Sequence, residues 1–155
     1  MLSKMVLPRI YVDGDACPVK EEVARVAARH TLQVYIVSNQ GLRSNLGSHV
    51  RGILVGNEFD AADNWIVENI VADDIAITAD IQLAARCLKK NAKVINPTGK
   101  FFTEENIGSA LAMRELTSYL REAGEIKGGN AAFTKQDRSN FLQSLDLIIQ
   151  KTVKK

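Results

Sequence analysis

The sequence predicts an α/β fold with a mainly parallel five-stranded sheet flanked by helices, and three observations carry that prediction. Five short apolar runs alternate with helical segments over the first two thirds of the chain. Each run stops on turn residues or acids, as strands do where they leave a sheet. The last third then drops the alternation for two long helical patterns. At 155 residues, 46% hydrophobic and 25% charged, the composition is that of one ordinary globular domain spanning residues 1–155.

The first run, Ile10-Tyr11-Val12, is β-branched and aromatic and ends on Asp13-Gly14-Asp15, where Gly14 is expected to allow a sharp turn. Pro18 suits a first helical turn, and good helix formers continue to Ala28. Gln33 to Ser38 is the second strand. The polar loop after it offers Arg43, Asn45 and His49 to a ligand or to solvent. Ile53-Leu54-Val55 is the third, followed by a helix from Asp60 to about Val71. Ile75-Ala76-Ile77-Thr78 is the fourth and leads through Asp80 into a helix ending at Leu88. Val94-Ile95 is the fifth. Thr103 then caps a long helix whose Ile107, Leu111, Leu116 and Leu120 form an apolar face, and Lys127-Gly128-Gly129-Asn130 breaks it. Thr134 caps the last helix, with Phe141, Leu142, Leu145, Ile148 and Ile149 as its core stripe, before a frayed Lys151–Lys155 tail.

Composition excludes several classes. No run reaches the ~18 apolar residues of a membrane span, and residues 1–7 lack a signal-peptide pattern, so a cytoplasmic protein without a membrane partner is expected. Cys17 and Cys87 lie far apart without CxxC or Cys/His pairing and read as reduced thiols, with Cys17 a small packed residue. A net charge of +2 neither announces nor excludes nucleic acid.

The acids carry more information. Asp13 and Asp15 follow the first strand, Asp80 follows the fourth, and Asp60 and Asp63 open the intervening helix. In a 3-2-1-4-5 strand order the first and fourth strands are neighbours, so Asp13 and Asp80 face each other at the edge where open α/β sheets bind ligands. Asp63 shares a helix face with Ile66, Val67 and Ile70 and so points inward. Carboxylates gathered in this way repel one another unless cations occupy the site, and hard oxygen ligands suit Mg²⁺ or Mn²⁺. Asp60 also reads as a plain helix cap, and Asp15 as a residue that orients the turn. Asp73 and Asp74 precede their strand and belong to the opposite edge.

Four ordered stretches, Val12 to Lys20, Phe59 to Ile66, Ile77 to Ala84 and Leu111 to Arg114, resemble the bacterial YaiI/YqxD family, and the likeness runs from about Ile10 to Leu145. That uncharacterised family is regarded as PIN-like, which implies a single PIN-like domain of metal-dependent nuclease ancestry. The resemblance carries Asp13, Asp63 and Asp80 over as catalytic and metal-binding acids, with Asp15 and Asp60 as further metal ligands. The chain departs from the family pattern at Gly14, Gln82 and Asn130, and none of these removes an acid. Hydrolysis of RNA or another nucleic acid with Mg²⁺ or Mn²⁺ is the leading expectation, with Arg43, Arg86, Arg114 and Arg121 either contacting phosphate or simply solvated. Two alternatives stand beside it. Asp13-Gly14-Asp15 and Ser38 resemble the nucleophile, acid and phosphate-binding serine of a haloacid-dehalogenase-like phosphatase, although Asp73-Asp74 lie on the wrong side of their strand. The third reading is a non-catalytic metal- or nucleic-acid-binding module.

Overall fold

The computed structural model describes residues 7–15, 17–42, 44–124 and 132–153. Its order is β1 (Ile10–Asp13), α1 (Lys20–Arg29), β2 (Val34–Ser38), β3 (Val50–Leu54), α2 (Ala61–Asn69), β4 (Ile75–Ile77), α3 (Ile81–Lys89), β5 (Lys93–Ile95), β6 (Phe101–Phe102), α4 (Glu104–Glu122) and α5 (Lys135–Val153). The strands form one sheet in the order β3-β2-β1-β4-β5-β6. The first five run parallel, and Phe101–Phe102 pairs antiparallel with Val94–Ile95. This sixth strand is absent from the sequence-based expectation because two residues carry no readable period. It exists because Asn96 to Lys100 turns the chain back tightly, with the Asn96 amide on the Lys100 carbonyl at 2.8 Å and Gly99 at φ +95°.

The central strands are covered on both faces, which is why they read as continuous apolar runs. Alternation along β1 divides the core: Ile10 and Val12 pack with Val23 and Val26 of α1 and with Phe141, Leu145 and Ile149 of α5. Tyr11 faces the other way, toward Ile66 of α2 and Leu83 and Cys87 of α3. Leu142 and Ile148 flank the α5 stripe, so all five residues expected there meet the core. Cys17 packs half-buried against the first layer, and Cys87 is buried in the second; neither is in a disulfide.

Several local expectations change. The first helix begins at Lys20, two residues past Pro18, and β3 starts at Val50, three residues before the apolar triplet. Pairing decides the second shift, since Val50 and Arg51 lie in register with Val34 and Tyr35 of β2 whatever their side chains. Gly14 is not among the glycines at positive φ; a Cβ there would lie 2.8 Å from Ile36 Cγ2, so its requirement is close approach to β2. The apolar face expected of α4 is not core: the helix has no buried residue, Ile107 packs against the second layer, and Leu116 is exposed. Its packing is mainly against α3. The expected 127–130 break and the final residues 154–155 lie outside the described residues.

Candidate active site at the carboxyl edge of the sheet

β1 and β4 are direct neighbours, so their carboxyl ends meet at the point where the chain reverses its direction of progress across the sheet. Asp13 ends β1 and Asp80 follows β4 by three residues. Between them stands Thr78, 2% exposed, whose hydroxyl donates to Asp13 Oδ2 at 3.0 Å while accepting the Asp80 amide at 2.9 Å. One buried side chain thereby holds both acidic segments in register.

A cleft of about 340 Å³ opens here, and all five acids singled out in the sequence line it: Asp13, Asp15, Asp60, Asp63 and Asp80, with Glu58 beside them. Among the described residues, no ion pair engages any of the five. Burial is the main force raising the Asp13 pKa, and Asp80 and Asp15 push in the same direction. The Asp63 carboxyl is pushed up to about 7, first by burial and then by the charges of Asp80, Asp13 and Asp60. Its placement on the inner face of α2, one turn before buried Ile66, is the cause.

The two helix-capping aspartates behave differently. Asp80 Oδ1 accepts the amides of Gln82 and Leu83 at 2.9 and 3.2 Å, so Asp80 has a structural task as well as a place in the cleft. Asp60 occupies the corresponding position before α2 but sits at φ 62° and makes no side-chain cap bond. Its carboxylate is left for the cleft, against the plain-cap reading.

The arginines are less concentrated. Arg86 on α3 is half-buried, and its charge offsets part of the upward shift of Asp63. Arg114 and Arg121 are exposed on α4 and do not line the carboxylate cleft. Arg43 lies outside the described residues. Asn45 stays within the loop and His49 ties it to α1: Asn45 Oδ1 accepts the Gly47 amide at 3.0 Å, and His49 Nε2 sits 2.7 Å from the Ala24 carbonyl oxygen.

The sequence gives Thr78, Asn39, Glu58 and Phe59 no place in the site. Thr78 has a signal in hindsight, as a hydroxyl two residues before a strand-end acid. Phe59 is 91% exposed on the cleft rim, a lone aromatic in a polar loop. Asn39 and Glu58 enter only through the fold. Among the described residues, no three His, Cys, Asp or Glu side chains converge into a ready-made metal group. The donors nevertheless fit a hard cation in kind, being carboxylate oxygens that repel one another and, among the described residues, form no ion pair. Ser38, the serine of the phosphatase alternative, is 3% exposed and its Oγ accepts the Gly41 amide at 3.0 Å.

The sequence model of the family described as "Uncharacterized BCR, YaiI/YqxD family" matches residues 11–151. The chain is 52% identical over 147 residues to a UPF0178 protein of Agrobacterium fabrum, covering 95% of this chain and 96% of that one. Against a UPF0178 protein of Rhizobium etli the identity is 54% over 142 residues, 92% of each chain. A third relative, from Rhodospirillum rubrum, is 53% identical over 142 residues, covering 91% of this chain and 95% of its own. No solved structure matches. With the match spanning both sheet layers and every acid of the cleft, the chain belongs to the YaiI/YqxD family of UPF0178 proteins.

Proposed function

We propose that this protein is a PIN-like, divalent-metal-dependent nuclease that hydrolyses phosphodiester bonds, with RNA as the substrate. One observation carries the reading: five aspartates from three separate segments line one cleft at the carboxyl edge of the sheet, with no lysine or arginine ion-paired to them among the described residues. Asp13, Asp63 and Asp80 are the acids to hold Mg²⁺ or Mn²⁺, joined by Asp15 and Asp60. When bound, the ion supplies the positive charge that activates water and offsets charge on the phosphate. Thr78 fixes the spacing of Asp13 and Asp80, and the Asp80 cap anchors its segment to α3. Arg86, whose charge reaches Asp63, is the arginine best placed to meet phosphate, with Arg43, Arg114 and Arg121 as further candidates for phosphate contact.

The test compares wild type with Asp13→Asn, purified identically, on labelled single-stranded RNA with Mn²⁺ and on a generic phosphomonoester. Wild type is expected to cut RNA, and Asp13→Asn to lose most of that rate while remaining folded, because a neutral amide binds the ion poorly. Lys135→Ala, exposed at the start of α5, keeps full activity. Equal RNA cleavage by wild type and Asp13→Asn refutes the proposal. Turnover of the monoester alone supports the phosphatase alternative, and metal binding without turnover supports the binding module.

A further inference from the structure

A second hollow of about 820 Å³ lies beside the carboxylate cleft, between the Asn96–Lys100 turn and α5. Pro18 and Ala79 form the wall nearest the acids, Ala79 being the residue immediately before Asp80. Ala79 thereby joins the hollow to the segment that carries Asp80.

Its chemistry is one-sided. Asn96 Oδ1 is occupied by the backbone amide and the hydroxyl of Thr98, both at 2.8 Å, which fixes the side-chain orientation and leaves Nδ2 open. Asn140 Oδ1 accepts from Gln136 at 2.8 Å, again leaving its Nδ2 open. Asp137, the acid of the hollow, has Oδ2 on the Thr134 amide at 3.0 Å, and Ser144 donates to the Gly99 carbonyl at 2.8 Å. Lys100 lines the hollow and has no ion-pair partner among the described residues. The side-chain oxygens of Asn96 and Asn140 and one oxygen of Asp137 are committed within the protein, while two amide donors and the Lys100 ammonium remain against the other Asp137 oxygen, so the excess of donors suits an acceptor-only, anionic group.

The hollow is also built in advance. Gly99 lies so close to α5 that a Cβ would sit 2.7 Å from the Asn140 carbonyl carbon and 2.8 Å from its oxygen. Only glycine, at φ +95°, lets the turn rest directly on the helix, and the Ser144 bond closes the contact.

We propose that this hollow is a second substrate subsite, which grips the sugar-phosphate backbone of a single strand beyond the bond at the carboxylates. The inference rests on the nuclease reading for the identity of the strand. It makes the protein selective for oligomers over small phosphodiesters, because only an oligomer reaches both places.

Two changes test it, the first of them isosteric. Asn140→Asp keeps the oxygen that accepts from Gln136 and replaces the open donor with a second, negatively charged acceptor, while Lys100→Ala removes the cation. Binding of a labelled ten-nucleotide single-stranded RNA is measured by anisotropy in EDTA, which separates grip from turnover. Each variant is expected to weaken binding about tenfold. Lys100→Ala should also reduce the slope of log affinity against log salt by about 0.7, the mark of one lost phosphate contact on a single strand. With Mn²⁺, KM for the oligomer rises while turnover of bis(4-nitrophenyl) phosphate is unchanged. Wild-type affinity in both variants overturns the subsite even if RNA is cut. Weakened binding in the variants with no cleavage of either substrate by wild type keeps the subsite and removes the nuclease reading. Failure of the wild type to bind the oligomer overturns the subsite.

Discussion

The two edges of this sheet both carry aspartates and treat them in opposite ways. At the amino edge Asp74 is buried, and its carboxylate takes the amides of Arg9 and Val71 at 2.9 and 3.0 Å and the Arg9 guanidinium at 3.4 Å. Its neighbour Asp73 pairs with Lys93 at 3.2 Å. At the carboxyl edge five aspartates share a cleft with no ion-paired cation among the described residues, and burial together with mutual repulsion lifts the Asp13 and Asp63 pKa values. A carboxylate paired with a cation stitches the fold, whereas a crowd of carboxylates without one costs stability that a bound cation can return. The same residue type is a fastening in one place and a charge reservoir in the other, and only the surrounding donors distinguish them.

The largest expected effect tests the reservoir. Mn²⁺ or Mg²⁺ at a hundredfold excess over its dissociation constant should stabilise the wild type by about 2.7 kcal/mol, read as a rise in Tm. Asp80→Asn should abolish that rise while keeping the helix capped, since asparagine caps as well as aspartate. A Tm indifferent to both metals would collapse the distinction between the edges.

The fastening is tested by Asp74→Ala, which strands two backbone amides and one guanidinium. Urea unfolding should show a loss of about 1–3 kcal/mol, with no change in the response to metal. If the loss were absent, or if the metal response vanished with it, the two edges would not be independent.

The pH dependence should differ as well. In the folded, metal-free protein Asp63 titrates near 7, above its ordinary value of 3.8, so its neutral form favours folding. Its contribution is therefore full below about pH 4 and is lost as pH rises through 7. The difference in Tm between Asp63→Asn and wild type, measured in EDTA, should grow in favour of the variant across that window. Asp146 on α5 is the opposite case, since its hydrogen bond with His30 lowers its pKa and that contribution fades only as acid protonates it below its ordinary value. A flat Asp63→Asn difference from pH 4 to 8 would show that the cleft does not crowd its charges.

The smallest effects compare the two capping positions. Asp80→Ala should lose about 1 kcal/mol from the missing cap bonds, offset in part by the relief of repulsion. Asp60→Asn keeps a residue tolerant of left-handed backbone and breaks no cap, so its stability should stay within about 0.5 kcal/mol of wild type. A loss in Asp60→Asn as large as that in Asp80→Ala would show that the Asp60 carboxylate is engaged in holding the fold instead of being left for the cleft.

Much of this was legible in the chain itself. Buried parallel strands are apolar throughout and end on polar turns, so β1, β2, β4 and β5 and the α5 stripe could be read from composition and period alone. The five acids could be assigned to one edge because each follows a strand or opens a helix, and parallel connections send all such positions to the same side. Tertiary contacts decided the rest. β3 begins at Val50 because β2 pairs with it there, β6 forms because a five-residue turn folds it back, and α4 leaves Leu116 to solvent because its packing is confined mainly to α3. Whether an aspartate caps, pairs or stands open is likewise not written in its neighbours along the chain: Asp60 and Asp80 precede helices alike, yet backbone φ turns one side chain away from the amides and lets the other accept two of them. Chain order determines where charge is delivered, and the groups that other segments bring to meet it determine what that charge does.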